Sequence, residues 1–272
     1  MRCFWPLLIV LLPPGDDGVR KVGRLDHPAI KEASGIVASR RHPGIFWVHN
    51  DSGNPPVLYA VKRDGSLVRE FAVAVPNVDW EDIAIDDSGH LYLGDIGNND
   101  NRLPLRAIYQ IDEPDPDQPA EAPLQSSRAT FYKFESKQAR FDAEALFLLD
   151  GRFIVITKRH DGGEAEMMAL PLDPPASLGR PALPEKVGKL AGLKAPVTGA
   201  DLSADGRLLG VVTYEHVYIY ERLSDSWGPL GKVKHHVADA EAVCWDGTDL
   251  LVAGESRAIA VVPESAWRKS RR

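Results

Sequence analysis

The sequence predicts an all-β chain closed into a β-propeller of five blades, each of four antiparallel strands, and three observations carry that expectation. An acid-led apolar strand recurs at "KEASGIVAS", "NVDWEDIAI", "FDAEALFLLDG", "VTGADLSADG" and "ADAEAVCWDG". Its leading acids, Glu32, Glu81, Glu144, Asp201 and Glu241, are 49, 63, 57 and 40 residues apart, near the roughly 40–50 residues of a propeller blade. Helical periodicity is weak along the whole chain, so no competing pattern organises it.

Each blade element follows in order. After the first strand comes a turn with Asp-Gly or Ser-Gly ("DDSGH", "LDGR", "ADGR", "WDGT"), as tight antiparallel hairpins require. A second apolar strand then runs: "IFWVHND", "HLYLGD", "RFIVITK", "RLLGVVTYE" and "DLLVAGE". In four of the repeats the polar residue ending that strand lies 14 positions after the acid, giving Glu81 with Asp95, Glu144 with Lys158, Asp201 with Glu215 and Glu241 with Glu255. The first repeat has a longer hairpin through "SRRHPG", and its partner is Asp51. Third strands are "VLYAVK", "RAIYQI", "EMMALPL", "HVYIYE" and "AIAVVPE"; fourth strands are "EFAVAV", "ATFYKFE", "KVGKLAG" and "LGKVKHH". The fifth repeat lacks a fourth strand of its own. "KVGRL" at 21–25, similar to "KVGKL" at 186–190, is expected to supply it and leave no open ring edge. Six blades are the alternative if the long second repeat hides a unit. Its surplus, "DEPDPDQPAEAPLQSS" at 112–127, is however a Pro-rich acidic loop without a strand pattern.

The 272 residues are 44% apolar, enough to give one large all-β domain a real core, here taken as 19–267. A net charge of −7, with one basic run in the tail 268–272, argues against nucleic acid and is compatible with cations. Residues 1–15, "MRCFWPLLIVLLPPG", read as a signal peptide whose apolar run is too short to span a bilayer. The expectation is a secreted or periplasmic monomer, free of the membrane once the signal is removed, whose partner is a small molecule or another protein. Cys3 leaves with the signal, so Cys244 has no intrachain disulfide partner.

In a propeller the first strands line the axis, and a strand's start lies beside the end of its hairpin partner. Glu32, Glu81, Glu144, Asp201 and Glu241 are therefore expected as an inner ring at one mouth. Asp51, Asp95, Lys158, Glu215 and Glu255 are expected as a second tier, with Asp79, Asp142 and Asp239 adding to the rim. So many close carboxylates must keep protons or gain a cation. Calcium suits this set best, because it takes about 6–8 oxygen ligands, carbonyls and Asn side chains included. Asn50, Asn77, Asn98 and Asn99 sit in the matching loops, whereas His and Cys are not grouped at zinc spacing. The proposed ligands are Glu32, Asp51, Asp79, Glu81, Asp95, Glu144, Asp201 and Glu241. Lys158 can pair with neighbouring carboxylates or grip an anionic ligand. His49, His160 and His216 are candidate general bases beside the metal; the plainer alternative is exposed loop histidines. "HNDSGN" at 49–54 is no catalytic triad, since His49 and Ser52 share one loop and there is no nucleophile elbow. Trp47, Trp80 and Trp245 read as wedges between blades.

"EASGIVASRRHPGIFWVHNDSG", followed by "NVDWEDIAI", "LYLGDIGNN" and "IYQIDEP", resembles a group of secreted bacterial β-propeller proteins of unassigned function. More distantly, the order "SGI…VHND…DWEDIA" is similar to the SdiA-regulated and esterase-like phytase propellers. The resemblance covers about residues 30–114. Axial acids hold calcium in propeller lactonases and phytases, which implies such a role for Glu32, Asp51, Asp79, Glu81, Asp95 and Glu144. Those relatives are mostly six-bladed, and this chain is short for six. Three functions remain open: metal-assisted hydrolysis of a small ester, lactone or phosphate ester; a non-catalytic binding propeller with a structural ion; and a glycosidase with paired carboxylates about 5–9.5 Å apart.

Overall fold

Runs rich in Val, Ile, Leu and aromatic residues, broken every few positions by Gly and Asp, fold as hairpins. Asp150 and Gly151 show the local cause: both have positive φ, the backbone of a two-residue type I′ turn. The computed structural model describes residues 18–98, 104–134, 142–173 and 177–269; the 1–15 leader, Asn99 and the end of the basic tail at 270–272 lie outside the described residues.

The N-terminal strand β1 (Arg20–Arg24) precedes blade 1, made of β2 (Ala33–Ala38), β3 (Ile45–Asn50), β4 (Val57–Lys62) and β5 (Leu67–Ala72). Blade 2 comprises β6 (Trp80–Ile85), β7 (His90–Asp95), β8 (Arg106–Asp112) and β9 (Arg128–Tyr132). Blade 3 comprises β10 (Asp142–Leu149), β11 (Arg152–Lys158), β12 (Glu166–Pro171) and β13 (Glu185–Lys189). Blade 4 comprises β14 (Val197–Leu202), β15 (Leu208–Thr213), β16 (His216–Arg222) and β17 (Trp227–Lys234). Blade 5 contains β18 (Ala240–Asp246), β19 (Asp249–Gly254) and β20 (Ala258–Val262), and β1 pairs with β20 as its outermost strand. The ring thus has five blades, closed by the chain's beginning. The segment at 112–127 adds no blade; it is a surface loop in which Leu124 bridges to Val73. Arg268 and Lys269, the first residues of the basic tail, belong to a short helix, α1 (Glu264–Lys269), whose Trp267 is buried edge-on against Trp245.

The core is divided among the blade interfaces. Five apolar clusters each join two successive blades, the last joining blade 5 to blade 1. Trp47 and Trp80 pack in the cluster between blades 1 and 2, and Trp245 in that between blades 4 and 5. Buried Glu113 ties the first of these interfaces: it accepts from Trp47 Nε1 at 2.7 Å and from the Ser39 hydroxyl.

One irregularity recurs and positions everything at the axis. In each inner strand the antiparallel register slips by one residue near its start, and the extra residues are Ser34, Glu81, Glu144, Thr198 and Glu241. A bulge leaves that residue unpaired and re-aims its side chain. Just beyond, the buried Asp82 carboxylate crosses the axis to accept from the amides of Leu146 at 2.9 Å and Ala200 at 3.3 Å, joining blades 2, 3 and 4.

A chain lacking residues 1–25 leaves β20 with an unpaired edge and loses the fully buried Leu25. It is expected to melt well below the full chain and to elute as larger species in size-exclusion chromatography. A monomer with unchanged melting temperature would show that β1 does not close the ring.

Candidate functional site

The stretch 77–98 builds the richest part of the axial mouth. Asn77 Oδ1 accepts from the Trp80 amide at 3.1 Å, folding the acidic segment into a turn before β6 begins. The Asp79 amide donates to Asp95 Oδ1 at 2.7 Å, and the Asp79 carbonyl accepts from the amides of Ile96 and Gly97. Asp95 therefore positions the loop that carries Asp79. Gly97 packs closely beneath these acids: a Cβ there would run into the carboxylates of Glu81 and Asp79, and both would have to shift.

Two acidic trios result. Asp51, Asp79 and Glu81 each place an oxygen within 4.8 Å of the others, and so do Glu81, Asp142 and Glu144. Glu81 is common to both. It is buried, and its Oε1 has no hydrogen-bond partner. Asp142 is fixed by the Asn98 amide at 2.7 Å. Lys158 donates to Glu144 Oε1 at 2.9 Å, with both side chains buried, and its ammonium lies 5.6 Å from the centre of the Tyr214 ring. Glu241 completes the ring of bulge carboxylates; it too is buried, with Oε2 unpartnered.

Burial, then the surrounding carboxylates, drive Glu81 well above the ordinary range. Burial raises Glu144 as well, but the Lys158 ammonium opposes it. No such cation opposes the rise at Glu81. Burial works against the Lys158 charge, yet Glu144 outweighs it and keeps the ammonium protonated. Desolvation pushes Asp51 and Asp95 up to about 6 and Glu241 to about 7. These groups are strained as anions, which is the condition a bound cation relieves.

The structure brings Asp51, Asp79, Glu81 and Glu144 together, with Lys158, Asp95 and Glu241 beside them. Two expected ring members stand elsewhere. Glu32 is exposed and accepts from the Asn54 side chain, because the first-blade bulge falls on Ser34. Asp201 lies three residues past the bulge at Thr198 and accepts from the Trp245 amide at 2.9 Å. It lines a cavity of about 460 Å³ among the hairpin turns, with Arg40, Asp86 and Asp150. Glu215 and Glu255 are exposed, and Asn50 is occupied with the Lys31 and Glu32 amides.

The three histidines do not gather at the cluster. His49 is fully buried, edge-on to Trp80 at 5.6 Å, with Nδ1 against the Asn50 carbonyl; burial lowers it to about 4. His160 is an exposed loop residue, and His216 opens β16 beside Glu215 and Tyr218. Asp142 was legible as a rim acid, but its place in an acidic trio with Glu81 and Glu144 was not. Ser34 and Thr198 would have emerged from aligning the repeats on the small or short residue after each bulge: Gly35, Asp82, Ala145, Gly199 and Ala242.

No family model matches this sequence, and no curated protein matches it. Among solved structures, glutaminyl cyclase of Myxococcus xanthus superposes with a TM-score of 0.54 at 13% identity, over 89% of this chain and 95% of that one. Virginiamycin B lyase of Staphylococcus aureus gives 0.43 at 15% identity, over 87% of this chain and 67% of that one. Likeness at such identities shows the propeller fold alone. No sequence family supports the SdiA-regulated or phytase names.

Two outcomes are expected. Gly97→Ala should still fold but lose about 1–3 kcal/mol in urea unfolding, since the added methyl must displace two buried carboxylates; an unchanged midpoint would refute the close approach. In chelator, the folded chain holds protons on Asp51, Asp95 and Glu241 that the unfolded chain releases. Their contribution to stability is therefore present near pH 4 and lost as pH rises to about 7. The urea midpoint should fall over that window, and less steeply in Glu241→Gln; equal slopes would remove Glu241 from the effect.

Proposed function

We propose that the axial mouth binds a hard divalent cation, calcium by its donor set, and that this chain works as a calcium-dependent propeller. The observation that carries this reading is Glu81, the residue common to both acidic trios, whose buried Oε1 has no hydrogen-bond partner. Asp51, Asp79, Glu81, Asp142 and Glu144 would hold the ion. All are oxygen donors on loops and strand starts, which suits the flexible geometry of calcium and not the nitrogen and sulfur preference of zinc. Deprotonation of Glu81 on binding would release a proton, so affinity should rise with pH.

A second reading, metal-assisted hydrolysis of a small ester, lactone or phosphate ester, is favoured by Glu241. Its buried, unpartnered Oε2 and its pKa of about 7 suit a general base beside the ion. When bound, the cation would polarise the scissile group and neutralise developing charge. Glu241 would take the proton of the attacking water; the buried His49 is less suited to that task. A glycosidase is less supported, because Tyr214 is the one large exposed aromatic side chain among the described residues.

Calcium should raise the melting temperature and EDTA should lower it, because a ligand of the native state stabilises it by mass action. At a free concentration of 100 Kd the expected gain is about 2.7 kcal/mol. Glu81→Gln should abolish most of that response; a full response in this variant, or none in the parent chain, would overturn the site. For the hydrolytic reading, Glu241→Gln should lower the turnover of a responsive ester about 100-fold or more while calcium binding persists.

A further inference from the structure

The outermost strand of a blade has a free edge, and this chain covers its edges by one repeated device. On blade 1, Leu124 from the β8–β9 connection runs parallel to the end of β5. Its amide donates to the Ala72 carbonyl and its carbonyl accepts from the Ala74 amide, both at 2.8 Å. On blade 2, Ala182 from the β12–β13 connection does the same beside β9, bonded to the Phe131 carbonyl at 2.9 Å and the Lys133 amide at 3.0 Å. On blade 5, the β4–β5 turn accepts the Arg24 amide on the Asp64 carbonyl at 3.0 Å. Blade 4 has α1 packed against β17. In every case the cover comes from the chain that follows the third strand of the next blade.

Blade 3 is the exception. The next blade joins β16 to β17 by a tight hairpin, 223–226, closed by the Leu223 amide on the Ser226 carbonyl at 2.9 Å. Among the described residues that hairpin sends no backbone bond to β13. A groove of about 520 Å³ is lined by β13 and the hairpin instead, with Ile154, Met167 and Trp227 giving it apolar surface and Leu223 51% exposed beside it.

The charges on this edge narrow what can fill it. Lys186 and Lys189, each 46% exposed, both reach Glu166, at 2.6 and 3.8 Å. Arg159 reaches it too, at 3.4 Å, but has Asp161 as its own partner. Two ammoniums thus share one carboxylate, and a further carboxylate brought to the edge is attracted. A second copy of β13 would instead set lysine near lysine, the usual guard against like strands pairing. The chain's own covers show a chemistry that fits such an edge. Residues 121–124 read Glu-Ala-Pro-Leu and 182–185 read Ala-Leu-Pro-Glu, each an apolar residue, a proline and an acid within four positions.

We propose that the outer edge of blade 3 docks an extended acidic segment of another protein. The segment adds to β13 as a parallel strand, lays an apolar side chain beside Leu223 and Trp227, and brings a carboxylate to Lys186 and Lys189. The five residues of β13 allow pairing over roughly 17 Å. The site does not depend on the axial ion, so either reading can fail alone.

The test pans a phage library of random ten-residue peptides on the immobilised full chain. Enriched peptides are then measured by fluorescence anisotropy and mapped by amide hydrogen exchange. They should carry an apolar residue within three positions of an acid and slow exchange over 185–189. They should bind Lys189→Glu and Leu223→Asp, both checked for folding by circular dichroism, at least about fivefold more weakly. No enrichment, unchanged exchange over 185–189, or full binding to both variants overturns the proposal. A concentration-dependent dimer that protects 185–189 without peptide assigns the edge to a second copy and overturns it equally.

Discussion

The bulge near the start of every inner strand is the constraint on which the rest of this molecule depends. A regular strand would alternate its side chains between the two neighbouring blades and give the axis nothing specific. The extra residue breaks that alternation once per blade, so the axial mouth is furnished by one residue from each of five positions. Three of those are glutamates, and two carry a hydroxyl. Ser34 donates to the Glu81 carbonyl and Thr198 to the Ala240 carbonyl, each stitching its blade to the next. The same device thus builds both the charged centre and the seams beside it.

Crowding acids in a nearly dry setting is costly, and the chain meets that cost in three ways. Backbone amides serve some carboxylates, as the Asp79 amide does for Asp95 and the Asn98 amide for Asp142. An internal ammonium serves Glu144. Glu81 and Glu241 receive neither on their inner oxygens. What separates them from ordinary buried carboxylates is this incompleteness. Asp82 illustrates the contrast: it is as deeply buried, but three backbone amides satisfy it, and it reads as architecture.

Blade number, strand order and ring closure were legible because they depend on coarse features: apolar runs, Gly-containing turns and the likeness of "KVGRL" to "KVGKL". The site was legible in part. Glu81, Glu144 and Glu241 stood out because glutamate is unusual at a strand start. Glu32 and Asp201 were drawn into the set by charge, although a bulge is defined by register and tolerates serine or threonine. A slip of two or three residues moves a side chain from the axis to the rim or toward the opposite mouth. The histidines show a different limit. Nothing local to "WVHND" states that His49, over its cross-strand partner Gly35, meets Trp80 across the interface between blades 1 and 2, because that depends on packing between separate segments.

Asp82 has a mechanical consequence. Its carboxylate bolts blade 2 to blades 3 and 4 across the centre of the disc, while Asp201 fastens blade 4 to blade 5 through the Trp245 amide. The joint between blade 5 and blade 1 combines a buried apolar cluster and a backbone bond from the Arg24 amide to the Asp64 carbonyl with ion pairs nearer the rim, where the half-exposed Arg63 reaches Asp246 and Asp249. Peripheral ion pairs weaken in salt, whereas buried amide contacts do not. Salt therefore acts on the rim pairs of Arg63 and leaves the axial bolts of Asp82 and Asp201 in place.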